Sequence, residues 1–236
     1  MERVVSPGEV AGQRGGVYGI LAQVFLKEMD RALLRTLRAP ELASALAELG
    51  LDPVDTLGQA PEAQVLEALA VDYAGLFLGP GPHVPPYESV FVGPDAGDGQ
   101  GSLCGEPAVR MRRLAEEEGL EISPELTAIP DHLAVELEYM QRLASAEAEQ
   151  WLAGDHAAAA AIREKQRVFL DEHLGRWLPA FVSRVAEASR SSFYRKMAEL
   201  AGEFTAEDRR LLDDRRPERT TGSDPGPDPD GWPNQC

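Results

Sequence analysis

Apolar and polar positions along the chain follow a helical period almost throughout. In GVYGILAQVFLKEMDRALLRTLR, residues 16–38, Tyr18, Leu21, Phe25 and Met29 recur at steps of three and four, which places one apolar stripe on a helix. Pro40 suits the first turn of a short helix over 40–49, and Pro61 opens another that runs to 77. The buried face of the latter is expected to be Leu66, Leu69, Tyr73, Leu76 and Phe77. The same reading predicts helices over 106–118, from Pro130 to about Leu152, near 155–175, over 180–189 beyond a bend at Pro179, and over 191–204. TAED at 205–208 has the form of a capping box for a last short helix. The sum is an all-α, single-domain helical bundle of roughly nine helices.

One stretch departs from this pattern. The helix ending at Phe77 cannot continue through the Gly and Pro residues of LGPGPHVPPYESVFVGP, residues 78–94. Yet Tyr87, Val90, Phe91 and Val92 are residues that a chain usually buries. The expectation is an ordered Pro/Gly-rich connection between helices, stiffened by its prolines and packed back onto the bundle. The domain reading is a flexible N-terminus over 1–15, a helical domain over 16–214, and a disordered acidic Pro/Gly-rich tail over 215–236. DAGDGQGS, residues 95–102, reads as a flexible turn region.

Composition narrows the partners. An apolar fraction of 43% over 236 residues supports a substantial core, and the prominence of Ala, Leu and Glu favours helix over sheet. Forty acidic against 23 basic residues give a net charge of −17, which repels nucleic-acid phosphates and anionic lipid and attracts cationic segments. The two cysteines, Cys104 and Cys236, are poorly placed for a structural disulfide, so a reducing compartment is expected. The start carries no apolar signal region, and no apolar run reaches the ~18 residues of a membrane helix, so the reading is a soluble cytoplasmic protein.

Candidate chemistry concentrates in PDHLAVELEYMQRL, residues 130–143. At about 100° per residue the apolar stripe holds Leu133, Leu137, Tyr139, Met140 and Leu143, with His132 and Glu136 inside it and Asp131 on its flank. A buried His and Glu one turn apart have three readings: a mutually satisfied structural pair, a binding hot spot in a partly open groove, or half of a metal site. The last needs further ligands, and His83, His156 and His173 show no matching spacing. No G-x-S-x-G nucleophile motif is present, and GPGPHVPP lacks the trailing Lys and the preceding strand of a phosphate loop. Phe169 and Trp177 are expected in the core.

Three blocks in order, DYAGLFLGPG…PPYESVF at 72–91, IPDHLAVELEYM at 129–140 and FLDEHLGRWLPAF at 169–181, together with YGILAQVFL near the start, resemble the TorD/DmsD/NarJ family of chaperones for molybdenum-cofactor oxidoreductases. The resemblance covers about residues 16–200. It implies an all-helical fold and no catalytic activity; no cofactor and no metal site are expected. It also implies a cytosolic role: binding the apo form of a molybdopterin-dependent oxidoreductase subunit, often through a twin-arginine leader, until the cofactor is inserted. By this resemblance the client site comprises Leu76 and Phe77, Tyr87 and Ser89 of the P-Y-x-S block, the Asp131–His132 pair, and Glu136.

A twin-arginine leader has a cationic end and an apolar stretch, so its complement is an apolar groove rimmed by carboxylates. Asp131 and Glu88 are expected at that rim, with Tyr87 and Phe91 forming one wall against His132. The expected protein is a monomer or homodimer with no nucleic acid and no membrane insertion. Two alternatives remain open at this point: a metal-assisted hydrolase using His132 and Glu136, and a permanent subunit of an oxidoreductase complex.

Overall fold

A computed structural model describes residues 5–51, 57, 60–78, 83–92, 103, 105–122, 126 and 129–214. The described residues form ten α-helices, one π-helical turn and an isolated β-bridge, the all-α architecture expected. In chain order the helices are α1 (Pro7–Leu26), α2 (Arg31–Leu37), α3 (Pro40–Glu48), α4 (Glu62–Tyr73), α5 (Glu88–Phe91), α6 (Glu106–Glu117), α7 (Leu133–Ala153), α8 (His156–Glu172), α9 (Leu174–Ala188) and α10 (Ser192–Asp214). None is long and apolar enough to cross a membrane. Residues 79–82 and 93–94 of the expected Pro/Gly-rich connection, the expected turn region at 95–102 and the tail from Arg215 lie outside the described residues.

The N-terminal segment differs from the expectation. Residues 1–15 read as loose, but α1 begins at Pro7 behind a reciprocal capping box. The Ser6 hydroxyl accepts from the Glu9 N–H, and the Glu9 carboxylate accepts from the Ser6 N–H. The absence of large apolar residues concealed this helix, because its contact face is made of small ones. A Cβ on Gly15 would stand 3.3 Å from the Ser145 hydroxyl and 3.5 Å from the Gln141 carbonyl, so glycine allows α1 and α7 to approach closely. Arg14 is buried on the same face, in a network described in the Discussion.

Other boundaries shift for local reasons. Asp30 accepts from the Leu33 N–H and starts α2 afresh, so the expected helix over 16–38 is two. The stripe residues Tyr18, Leu21, Phe25 and Met29 are all buried nonetheless. On α4, Leu69 and Tyr73 are buried as expected, Val65 is buried and Leu66 only half-buried. A π-helical turn, Ala74–Leu78, then carries Leu76 and Phe77 inward. Pro179 neither breaks nor restarts a helix: it lies exposed inside α9, whose opposite side buries Trp177, Leu178 and Phe181. The expected break at 205–208 is also absent, and α10 runs through it with Thr205 and Asp208 turned inward.

The core is continuous from α1 through α7 to α10. Phe25, Tyr73, Phe77, Phe181 and Tyr194 interlock as an aromatic cluster at its centre. Phe77 stacks on Phe181 with centroids 6.2 Å apart and meets Tyr73 edge-on at 4.9 Å, geometries that favour aromatic pairs.

Candidate functional site

The segment over 83–92 and the entry to α7 meet as two short antiparallel stretches. Tyr87 and His132 form the isolated bridge. Beside it the Leu133 N–H donates to the Pro86 carbonyl at 2.8 Å, and the Glu88 N–H donates to the Asp131 carbonyl at 2.9 Å. The Asp131 carboxylate accepts from the Ser89 N–H at 2.8 Å, satisfying a donor that the first turn of α5 leaves free. Upstream, the Val84 N–H donates to the Leu76 carbonyl at 2.7 Å and ties the same segment to the π-helical turn. Residues so rich in proline are thus held at both ends by backbone hydrogen bonds.

Side chains complete the attachment. The Tyr87 ring meets the His132 ring edge-on at 4.9 Å. His132 is the N-cap of α7: its Nδ1 accepts from the Ala134 N–H at 3.0 Å, which requires that nitrogen to be unprotonated. Burial holds the imidazole pKa down to about 3, so the ring stays neutral and the cap intact. Phe91 lies half-buried against Trp177 at 5.5 Å and Phe181 at 6.0 Å.

Tyr87, Val90 and Phe91 therefore pack onto the bundle as the sequence suggested. Tyr87 and Phe91 keep part of their surface in solvent, whereas Leu76, Phe77, Ser89, His132 and Glu136 are buried. Leu78, immediately after the buried pair, is 65% exposed.

The expected rim of carboxylates is corrected by their burial. Glu88 and Asp131 are each 0% exposed, so neither borders an open groove. Asp131 precedes the first turn of α7, where a helical angle no longer describes direction, and its backbone and side chain both turn towards α5. Glu88 turns inward to His173, with Oε2 2.7 Å from the imidazole Nδ1.

His132 and Glu136 do not act as one pair either. Glu136 Oε2 accepts from the Trp177 indole N–H at 3.0 Å, while His132 is committed to capping. The hydrolase reading loses its proposed pair. Burial, and then the charge of Glu88, push the Glu136 carboxyl well above its ordinary pKa.

Sequence reasoning missed His173, Trp177 and Arg110 as members of this neighbourhood. His173 was set aside for lack of spacing, yet it sits at the α8–α9 junction, from which its ring stacks on Phe169 at 4.7 Å and reaches Glu88. The one signal in the sequence was EHLGRW, which sets His173 and Trp177 one helical turn apart.

Comparison with known proteins places these observations in a family. A family model described as nitrate reductase delta subunit matches residues 30–183. The chain is 31% identical over 205 residues to a chaperone protein TorD of Vibrio vulnificus (strain YJ016), covering 81% of this chain and 91% of that protein. It is 29% identical over 216 residues to a chaperone protein TorD of Vibrio cholerae serotype O1, covering 86% and 93%, and 28% identical over 199 residues to one from Shewanella piezotolerans, covering 79% and 86%. On its helical fold, the backbone-anchored segment over 83–92 and these matches, the chain belongs to the nitrate reductase delta subunit family, the TorD-like maturation chaperones, which are not enzymes.

Proposed function

We propose that this chain is a client-specific cytoplasmic chaperone that binds the apo form of a molybdenum-cofactor oxidoreductase subunit, through its twin-arginine leader where it has one, and holds it until the cofactor is inserted. The carrying observation is the segment over 83–92. It presents half-exposed Tyr87 and Phe91 while its backbone is fixed to α7 and to the π-helical turn. Partly exposed aromatic residues on a prearranged support suit recognition, since little ordering is left to do on binding. Leu78, exposed at the end of the π-helical turn, adds apolar surface.

In this reading the site residues divide into two layers. Tyr87 and Phe91 touch the client, and Leu76 and Phe77 back them from the core. Glu88, Ser89, Asp131, His132 and Glu136 hold the wall in shape through their buried hydrogen bonds. Attraction of a cationic leader comes from the chain's net charge of −17 rather than from two rim carboxylates.

The test is calorimetric titration of the full chain with the apo catalytic subunits of the molybdenum-cofactor oxidoreductases of its own organism and, separately, with their leader peptides. Saturable binding of either, weakened about tenfold by Phe91→Ala at unchanged helicity, supports the reading. Binding of neither overturns it.

A further inference from the structure

Beneath the Tyr87–His132 bridge, buried acidic groups converge with more negative charge and more free lone pairs than their neighbours satisfy. Glu88 from α5 and Glu136 from α7 are wholly buried, and His173 at the α8–α9 junction is 3% exposed. Each offers one ligand atom, and the three atoms all lie within 4.8 Å of one another. Glu88 Oε1, Glu136 Oε1 and Asp131 Oδ1 are buried and accept no hydrogen bond from an N–H or hydroxyl; the two Glu carboxyls are close enough to hydrogen-bond each other when one is protonated. The guanidinium of Arg110 stands 3.6 Å from Glu88 Oε1, outside hydrogen-bonding distance. When ionised, the three carboxylates exceed that single cation by two charges, the charge of a divalent ion.

We propose that Glu88, Glu136 and His173 bind one divalent transition-metal ion. Two carboxylate oxygens and one imidazole nitrogen form a donor set suited to zinc, manganese or iron(II). Ligand atoms held at roughly 2.0–2.2 Å from a tetrahedral ion are about 3.3–3.6 Å apart, so an ion would draw the cluster in from its 4.8 Å limit and open the 2.7 Å contact between Glu88 and His173. The supporting contacts are those that orient ligands in built sites: the Trp177 indole fixes Glu136, and Phe169 stacks against the His173 ring.

Burial of all three ligands makes this a structural site, not one open to substrate. It would tie α5, and with it residues 83–92, to α7 and to the α8–α9 junction. This inference stands apart from the client reading, because metal uptake needs no client.

The experiment uses the full chain, stripped with a chelator and then dialysed in turn against Zn²⁺, Mn²⁺, anaerobic Fe²⁺ and Co²⁺. Metal content after desalting and the thermal midpoint are measured together. The expected result is about one equivalent of at least one ion and a midpoint raised by several degrees. Uptake should fall at least tenfold in Glu136→Gln, which preserves side-chain shape and an acceptor for Trp177, and stay unchanged in Glu207→Gln on the surface. Bound Co²⁺ should show the intense visible bands of a low-coordinate nitrogen and oxygen site, a readout on the unmodified chain if the Gln variant does not fold. Uptake below about a tenth of an equivalent for every ion, equal uptake by Glu136→Gln, or a Co²⁺ spectrum like that of the aqueous ion would overturn the proposal.

Discussion

Asp131 does at the scale of one residue what a loop of this composition cannot do alone. Its carbonyl and its carboxylate each accept an N–H from the first turn of α5, and the side chain is wholly enclosed. A hydrogen bond to a buried charged acceptor contributes about 1.5–3 kcal/mol. Asp131→Ala is therefore expected to destabilise the chain by about that amount in urea titration and to loosen the Tyr87–Phe91 wall, lowering client affinity. Asp131→Asn, which keeps an acceptor, should lose less than half as much. Equal losses for the two substitutions would mean that the carboxylate charge, not the hydrogen bond, is what matters.

At the scale of elements, close approach of backbone decides the arrangement more than large side chains do. The turn from α8 into α9 is tight enough that a Cβ on Gly175 would meet the Leu170 carbonyl oxygen at 2.5 Å, and a backbone atom cannot rotate away. Gly175→Ala should cost about 1–3 kcal/mol of stability in thermal or urea unfolding, the range for overpacking.

Helices with large periodic residues were legible from sequence for the complementary reason. Leu133, Leu137, Tyr139, Met140 and Leu143 mark the face of α7 without ambiguity, and all are buried. α1 was half hidden because glycine and alanine form its contact face, and apolar periodicity is blind to small residues. The continuity of α9 through Pro179 and of α10 through TAED was also hidden, because tertiary packing overrode local stop and start signals. Within the site, Glu136 was correctly placed inward by its angle on α7. Glu88 and His173 were not, since each lies at or near the end of an element and meets its partner 85 positions away.

Over the whole molecule, a single buried arginine links four helices. Arg14 of α1 donates to Asp208 of α10, to Glu147 of α7 at 2.7 Å and to Gln166 of α8. Tyr18 reaches Asp208 at 2.8 Å, and Arg163, Gln166 and Trp151 all donate to Glu147. Arg14→Met would leave Asp208 and part of Glu147 buried without their cation, a loss of about 3–5 kcal/mol expected in urea unfolding.

The same network sets a response to acid. Burial works to raise the Glu147 carboxyl, but the charge of Arg14 and hydrogen bonds from Gln166 and Trp151 outweigh it and hold the group below the usual carboxylate range. A carboxyl depressed in the folded chain adds stability that is fully present above its unfolded pKa, about 4.3, and is lost as pH falls through the folded value. Stability should accordingly decline on acidification below about pH 4.3, and Glu147→Gln should flatten that decline. An unchanged pH profile in the variant would show that other carboxylates govern it.

If, as proposed, the bundle presents a clamped aromatic wall to the unfinished subunit of a redox enzyme, a single titration can reveal it. Each apo catalytic subunit of the organism's molybdenum-cofactor oxidoreductases is titrated calorimetrically into the unmodified protein and into Tyr87→Ala, with circular dichroism confirming equal helicity. The account predicts saturable one-to-one binding to the unmodified chain, weakened about tenfold by the substitution. Absence of binding to the unmodified chain, or equal affinity for both, would contradict it.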